Sequence, residues 1–339
     1  MNDNHDYKFS HKVWIAGGIF ALIVVLLLLL KATFSVFLLI LAGVLIAVFF
    51  RGLTGIFQRK TGWKDGVCLT ISILGTLLLA GLLIWLLGSK VASQVTQLTE
   101  TFPSTIENAR TWMEKSPIFQ KVAEKLSSQD SSKKIQGFLQ TFFKSTFGIF
   151  GDLYVILFIG IFFTVSPQIY KQGIIKLVPV HGKEKAENIL NKMGDNLKKW
   201  LKGKLFAMLV VFILTSIGLL IIGVPMWLVL ALLAGLLNFI PNFGPLIALI
   251  PAVLVGLMES PSTALWVAGL YIFVQVAESN FITPMIQQKL ISIPPALIII
   301  AQLLMAPLTG GWGLILATPL LVIIMVLVNQ LYISKQRSL

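Results

Sequence analysis

The chain has 339 residues, 56% of them hydrophobic and 12% charged, with a formal net charge of +13. Soluble domains carry about a quarter charged residues, and several apolar runs here reach about 20 residues, enough to cross a hydrocarbon core of about 30 Å. This excludes a soluble globular protein and predicts an all-α polytopic membrane protein of the cell (plasma) membrane; the lysines gather in a few loops, as cytoplasmic loops do, and no nucleic-acid module with interleaved aromatics accompanies them.

The region 1–88 is predicted to hold three transmembrane helices. Trp14–Leu30 and Ala32–Phe50 meet at Lys31, which suggests a tight helical hairpin. Trp14–Leu30 resembles a signal peptide, but it is long and lacks a small-residue cleavage site, so it is read as a retained span. Arg51, Arg59, Lys60 and Lys64 follow against Asp65 alone, marking a cytoplasmic loop before the third span, Val67–Leu87.

Residues 89–145 are more polar. Val91, Val95 and Leu98, then Ile135, Phe138, Leu139 and Phe142, fall at helical spacing. Pro103 and Pro117 predict several short amphipathic helices on the extracytoplasmic side. A lid, an oligomer contact, a small cap and a solvated connector all remain open for this segment.

The region 146–339 carries the predicted transport core. Phe147–Val165 returns inward, and residues 166–204 hold nine lysines. There Ala186, Leu190, Met193, Leu197 and Trp200 share one face, giving a basic amphipathic helix suited to a lipid surface. Leu205–Gly223 is the fifth span. The last two are Pro295–Leu308 and Gly313–Leu331, with Lys335 and Arg337 ending the chain on the cytoplasmic side.

Between them, residues 226–258 are apolar throughout but interrupted by Asn238-Phe239-Ile240-Pro241-Asn242-Phe243-Gly244-Pro245. As a single helix this stretch would be about 50 Å long, too long for one span without severe tilt. Proline and glycine split it into two marginal halves. A re-entrant helical hairpin and two short spans joined by a turn both remain open. In the hairpin, Asn238, Pro241, Asn242, Gly244 and Pro245 become substrate-binding groups, and a half-helix starting after Pro245 offers amide donors to an anion or hydroxyl.

Tyr271, Gln275 and Glu278 share the face of one helix. A carboxylate in or at the end of an apolar span is a functional candidate. Glu278 is therefore assigned ion or proton coupling, with Gln275 and Asn280 as further substrate contacts. Asp152, one turn into its span, is the second coupling candidate, with snorkelling to water as its alternative. Gln302 is available to a polar track. The single Cys68 and the scattered His5, His11 and His181 offer no metal site. No HExxH, Gly-x-Ser-x-Gly or Walker-type motif occurs, which argues against an enzyme and against nucleotide drive; no cofactor is expected.

At Gly235 to Leu257, Glu278 to Ile286, Gly310 to Leu320 and Leu201 to Lys204 the sequence resembles the autoinducer-2 exporter (AI-2E) family of permeases. The resemblance implies about eight spans with both termini cytoplasmic, homo-oligomers, and transport of a small polar solute or cation. Roles proposed in that family include autoinducer-2 export and sodium–proton antiport. A transporter working in contact with membrane lipid is the leading reading, with a non-transporting scaffold or channel-like assembly protein as the alternative.

Overall fold

The computed structural model describes residues 3–115, 152–284 and 293–336. Pro117, Ile135, Phe138, Leu139 and Phe142, along with Gln287 and Gln288, lie outside the described residues.

The described chain is helical. Helix α1 runs Asp3–Thr61 and α2 runs Asp65–Lys115. Helix α3 is Asp152–Val165, and it bends by 86° into α4, Pro167–Lys176. Helix α5 covers Lys183–Ile222 in one piece. Then come α6, Trp227–Leu237, α7, Phe243–Glu259, and α8, Pro261–Ala277, which continues into a π-helical turn at Glu278–Ile282. Helices α9, Pro295–Thr309, and α10, Gly311–Val328, complete the bundle. Among the described residues five helices are long and apolar enough to cross a membrane, or six if α3 and α4 count as one bent span. The shorter apolar helices α6, α7 and α9 join them in a polytopic bundle.

Two expected breaks do not form. The chain does not reverse at Lys31, and α1 is a single helix of 59 residues. A tight reversal needs Gly, Pro, Asn or Asp, and Leu30-Lys31-Ala32-Thr33 offers none of them. Pro103 likewise lies inside α2 rather than ending it. A proline inside a helix loses its own donor and crowds the carbonyl four residues back, yet α2 runs on through Pro103 to Lys115.

The interior has two cores. One joins α5 through Val211 and Leu219 to Leu230 and Ala234 of α6, Ala248, Ala252 and Val255 of α7, and Val267 of α8. The other joins Leu38, Leu41 and Leu45 of α1 to Leu197, Trp200 and Leu201 of α5, and Leu316 and Val322 of α10. Helix α5 belongs to both. The buried stripe of its amphipathic half, Leu197, Trp200 and Leu201, continues into the span as Lys204, Ala207 and Val211. Outside these cores, large apolar side chains such as Leu78, Trp85 and Trp266 are exposed, the face that lipid covers.

Helices α1 and α3 cross at glycines. A Cβ on Gly43 would overlap the side chain of Ile159, and one on Gly160 would overlap Ile46, so the backbones approach closely. At the end of this crossing Arg51 closes the bend between α3 and α4. Its Nε donates to the Thr164 carbonyl at 2.7 Å and an Nη donates to the Val165 carbonyl at 3.2 Å. The other Nη meets Asp65 Oδ2 at 2.8 Å. The last carbonyls of a helix have no partner within it, and here a cation supplies one. Arg51→Met is expected to destabilise the protein by about 2 kcal/mol through the lost charge-assisted bonds. Asp65→Asn, at an exposed ion pair, is expected to cost less than about 1 kcal/mol. Thermal unfolding in detergent compares the two.

Candidate functional site

The interruption in the apolar run becomes a tight turn at Asn238–Asn242, between α6 and α7. Asn238, Phe239 and Ile240 continue the winding of α6, donating to the carbonyls of Ala234, Leu236 and Leu237. At Asn242 the backbone takes φ 64° and ψ −53°. Phe243 N donates back to the Pro241 carbonyl at 2.7 Å. This is a γ-turn of the rare, strained hand, and Asn tolerates positive φ better than most residues. Gly244 follows because a Cβ there would overlap the carbonyl oxygen of Leu237. The glycine lets the start of α7 press against the end of α6.

The turn is buried at one end and open at the other, with Asn238 and Ile240 inside and Asn242 exposed. Asn238 is 2% exposed. Gln302, fully buried and near the middle of α9, donates Nε2 to the Pro241 carbonyl at 2.9 Å. Phe239 reaches across to the second core and meets Trp200 edge-on, ring centroids 5.6 Å apart. Non-helical backbone away from water must be satisfied by protein, and the Pro241 carbonyl accepts two bonds here.

Beside this turn lies a cavity of about 330 Å³. Asn238, Pro241 and Asn242 form one wall, and Gln275 and Glu278 another, with Ser279, Thr283 and Pro284 beyond them. Trp200, Lys204 and Ala207 of α5, Pro295 and Ile298 of α9, and Thr318 of α10 close it. Helix α8 delivers Gln275 and Glu278 on one face, with Tyr271 above them donating to the Leu230 carbonyl at 3.3 Å. The wide turn after Ala277 brings Thr283 Oγ1 to Glu278 Oε1 at 3.0 Å.

Of the residues singled out in the sequence, Asn238, Pro241, Asn242, Gln275 and Glu278 line this one cavity. Gly244 and Pro245 stand behind the turn. Asn280 is exposed and bonds back to the Val276 carbonyl. Asp152 is elsewhere, its carboxylate accepting the indole N–H of Trp312 at 2.6 Å. The amide site expected after Pro245 does not form. Helix α7 starts at Phe243, the amides of Phe243 and Gly244 are taken by the carbonyls of Pro241 and Ile240, and Pro245 has none.

Four polar cavity residues, Lys204, Ser279, Thr283 and Thr318, escaped the sequence reading. Thr318 follows no polar pattern. Lys204 had a signal: it lies four residues after Trp200 and seven after Leu197, on the inward stripe of the amphipathic helix. Counting it with the basic loop hid it. It is 9% exposed and Glu278 is 8% exposed. Among the described residues they are the only charged ones lining the cavity, and the one ion pair in contact is Arg51–Asp65. Asn238 Nδ2 and Thr318 Oγ1 are buried with no hydrogen-bond partner. Among the described residues no group of His, Cys, Asp and Glu is arranged to hold a metal ion.

A bundle of membrane-crossing helices around a broken helix and a small cavity with a few polar groups on apolar walls suits a membrane transport protein. The sequence profile described as AI-2E family transporter matches residues 19–333, and the chain belongs to that family. It is 27% identical over 275 residues to "Putative transport protein YueF" of Bacillus subtilis, a match covering 75% of this chain and 74% of that one. It is 30% identical over 152 residues to "Putative transport protein YrrI" of the same organism, over 45% of this chain and 43% of the other. It is also 24% identical over 171 residues to "Putative permease PerM" of Escherichia coli, over 50% and 48% of the two chains.

The turn geometry makes a stability prediction. Gly244→Ala forces α6 and α7 apart and is expected to cost more than Gln302→Leu, which leaves the Pro241 carbonyl one bond short at about 1–3 kcal/mol. Asn242→Val, a β-branched residue at positive φ, is expected to destabilise, whereas Asn242→Gly is expected to be tolerated. Unfolding temperatures of the purified variants rank the four.

Proposed function

We propose that this protein is a secondary transporter that moves a small polar solute through the cavity beside the Asn238–Asn242 turn. Residues 226–258 act as a re-entrant hairpin, with Asn238, Pro241, Asn242 and Gln275 contacting the solute and Glu278 exchanging a proton or cation with it. The observation that carries this reading is the bond from Gln302, near the middle of α9, to the Pro241 carbonyl. It favours a chain break at mid-depth in the bundle rather than at a far surface. Family membership supports transport, and the size of the cavity, at the low end of the roughly 300–1,000 Å³ usual for ligand pockets, supports a small cargo. A buried carboxylate in a bundle interior is costly unless used, which favours Glu278 over Asp152 as the coupling group. The basic residues of 166–204 and the Lys335 end support a cytoplasmic side for both.

Reconstitution into proteoliposomes with imposed proton and sodium gradients tests the proposal. Glu278→Gln is expected to lower gradient-driven flux at least about tenfold and to flatten its dependence on pH. Asp152→Asn is expected to leave that dependence in place. Normal transport by Glu278→Gln with an unchanged pH profile would sink the coupling role, and flux of sodium against protons without any solute would replace it by antiport.

A further inference from the structure

Among the described residues, the charged side chains that line the cavity are one ammonium group and one carboxylate, Lys204 and Glu278. Both are buried, and they are not in contact with each other. Each charge is buried without a partner in contact, and such a charge is costly. The only hydrogen bond to the Glu278 carboxylate among the described residues comes from Thr283, at 3.0 Å. Two further cavity-lining groups lack partners: Asn238 Nδ2 and Thr318 Oγ1, each more than nine-tenths buried. The amide is a donor and the hydroxyl can act as one. Both therefore suit an acceptor such as a carboxylate, the group that an ammonium also attracts.

A monovalent anion would satisfy Lys204 and face the carboxylate of Glu278 unprotected. A monovalent cation would satisfy Glu278 and leave Lys204, Asn238 Nδ2 and Thr318 Oγ1 unmet. A neutral solute would leave both charges uncompensated. A molecule with a carboxylate at one end and a cationic nitrogen at the other meets every group and adds no net charge to the cavity.

From this we infer that the cargo is a small zwitterion of amino-acid type, its carboxylate held by Lys204, Asn238 and Thr318 and its cationic nitrogen by Glu278. The inference rests on the transport reading for the choice of cavity and adds the ligand class and Lys204 as a specificity-determining residue. Trp200 and Ile298 beside Lys204 leave an apolar strip for a short side chain.

Equilibrium binding to the full chain in lipid nanodiscs provides the test, read as ligand-induced rise in unfolding temperature. The probes are L-alanine, L-serine, L-proline and glycine betaine as zwitterions, propionate and lactate as carboxylates, and propylamine and ethanolamine as amines. At least one zwitterion is expected to stabilise the wild type while the carboxylates and amines do not. Its apparent affinity is expected to fall about tenfold or more in Lys204→Met and in Glu278→Gln alike. Thr318→Val changes no charge and is expected to weaken binding less, and Lys204→Arg is expected to retain it, which separates a binding defect from a folding one. Amine binding that survives Lys204→Met, carboxylate binding that survives Glu278→Gln, or no binding by any zwitterion would each overturn the inference. Binding of a zwitterion that the proteoliposomes do not move would sink the transport reading and leave this one standing. Flux of another solute that Lys204→Met leaves untouched would do the reverse.

Discussion

A peptide group in hydrocarbon has no water to fall back on, and the turn at Asn238–Asn242 is where this chain meets that constraint most sharply. The apolar run gives up its helix for a few residues that are buried at Asn238 and Ile240 and exposed at Asn242. Each peptide group released there has to be taken up by protein. The carbonyl of Pro241 is taken by Gln302 from α9 and by the amide of Phe243. The ring of Phe239 fills a gap between α5 and the second core, and Gly244 lets the two half-helices close on each other. What remains open beside the turn is the cavity, and every functional argument follows from its position there.

Helix α5 links that cavity to the rest of the molecule. Its first half lies along the second core through Leu197, Trp200 and Leu201, and its second half along the first core through Val211 and Leu219. Lys204 stands at the changeover, where neither core is complete and a polar space is tolerated. The charge is thus held by a helix anchored on both sides of it, while Glu278 sits on a widened turn at the end of α8. One charge is on a stiff support and the other on a backbone whose hydrogen-bond register has already been altered. Wide turns of this kind recur at functional sites.

Much of this was legible in the residues. Two prolines, a glycine and two asparagines in an apolar run can only mean a break, and the spacing of Tyr271, Gln275 and Glu278 can only mean one helix face. These are local signals, and the structure keeps them local: the break is at 238–242, and Gln275 and Glu278 face one cavity. The failures share a cause. Lys31 looked like a boundary because a charge interrupted leucines, but charge does not turn a chain, and α1 continues through it. Lys204 looked like part of a basic loop because its neighbours in sequence are lysines, yet its neighbours on the helix are Trp200, Ala207 and Val211. Asp152 accepts from Trp312, a partner 160 residues away that no local pattern announces. Thr318 carried no local mark at all. Pairings between distant segments depend on which helices meet, and one sequence does not state that.

The γ-turn at Asn242 has one more consequence. A residue held in so unfavourable a backbone conformation stores on the order of 1–3 kcal/mol, a few times the thermal energy. The wall of the cavity is therefore built on a loaded spring whose catch is the Pro241 carbonyl, gripped from two sides. Any movement of that wall works against an energy of the size that one good hydrogen bond supplies.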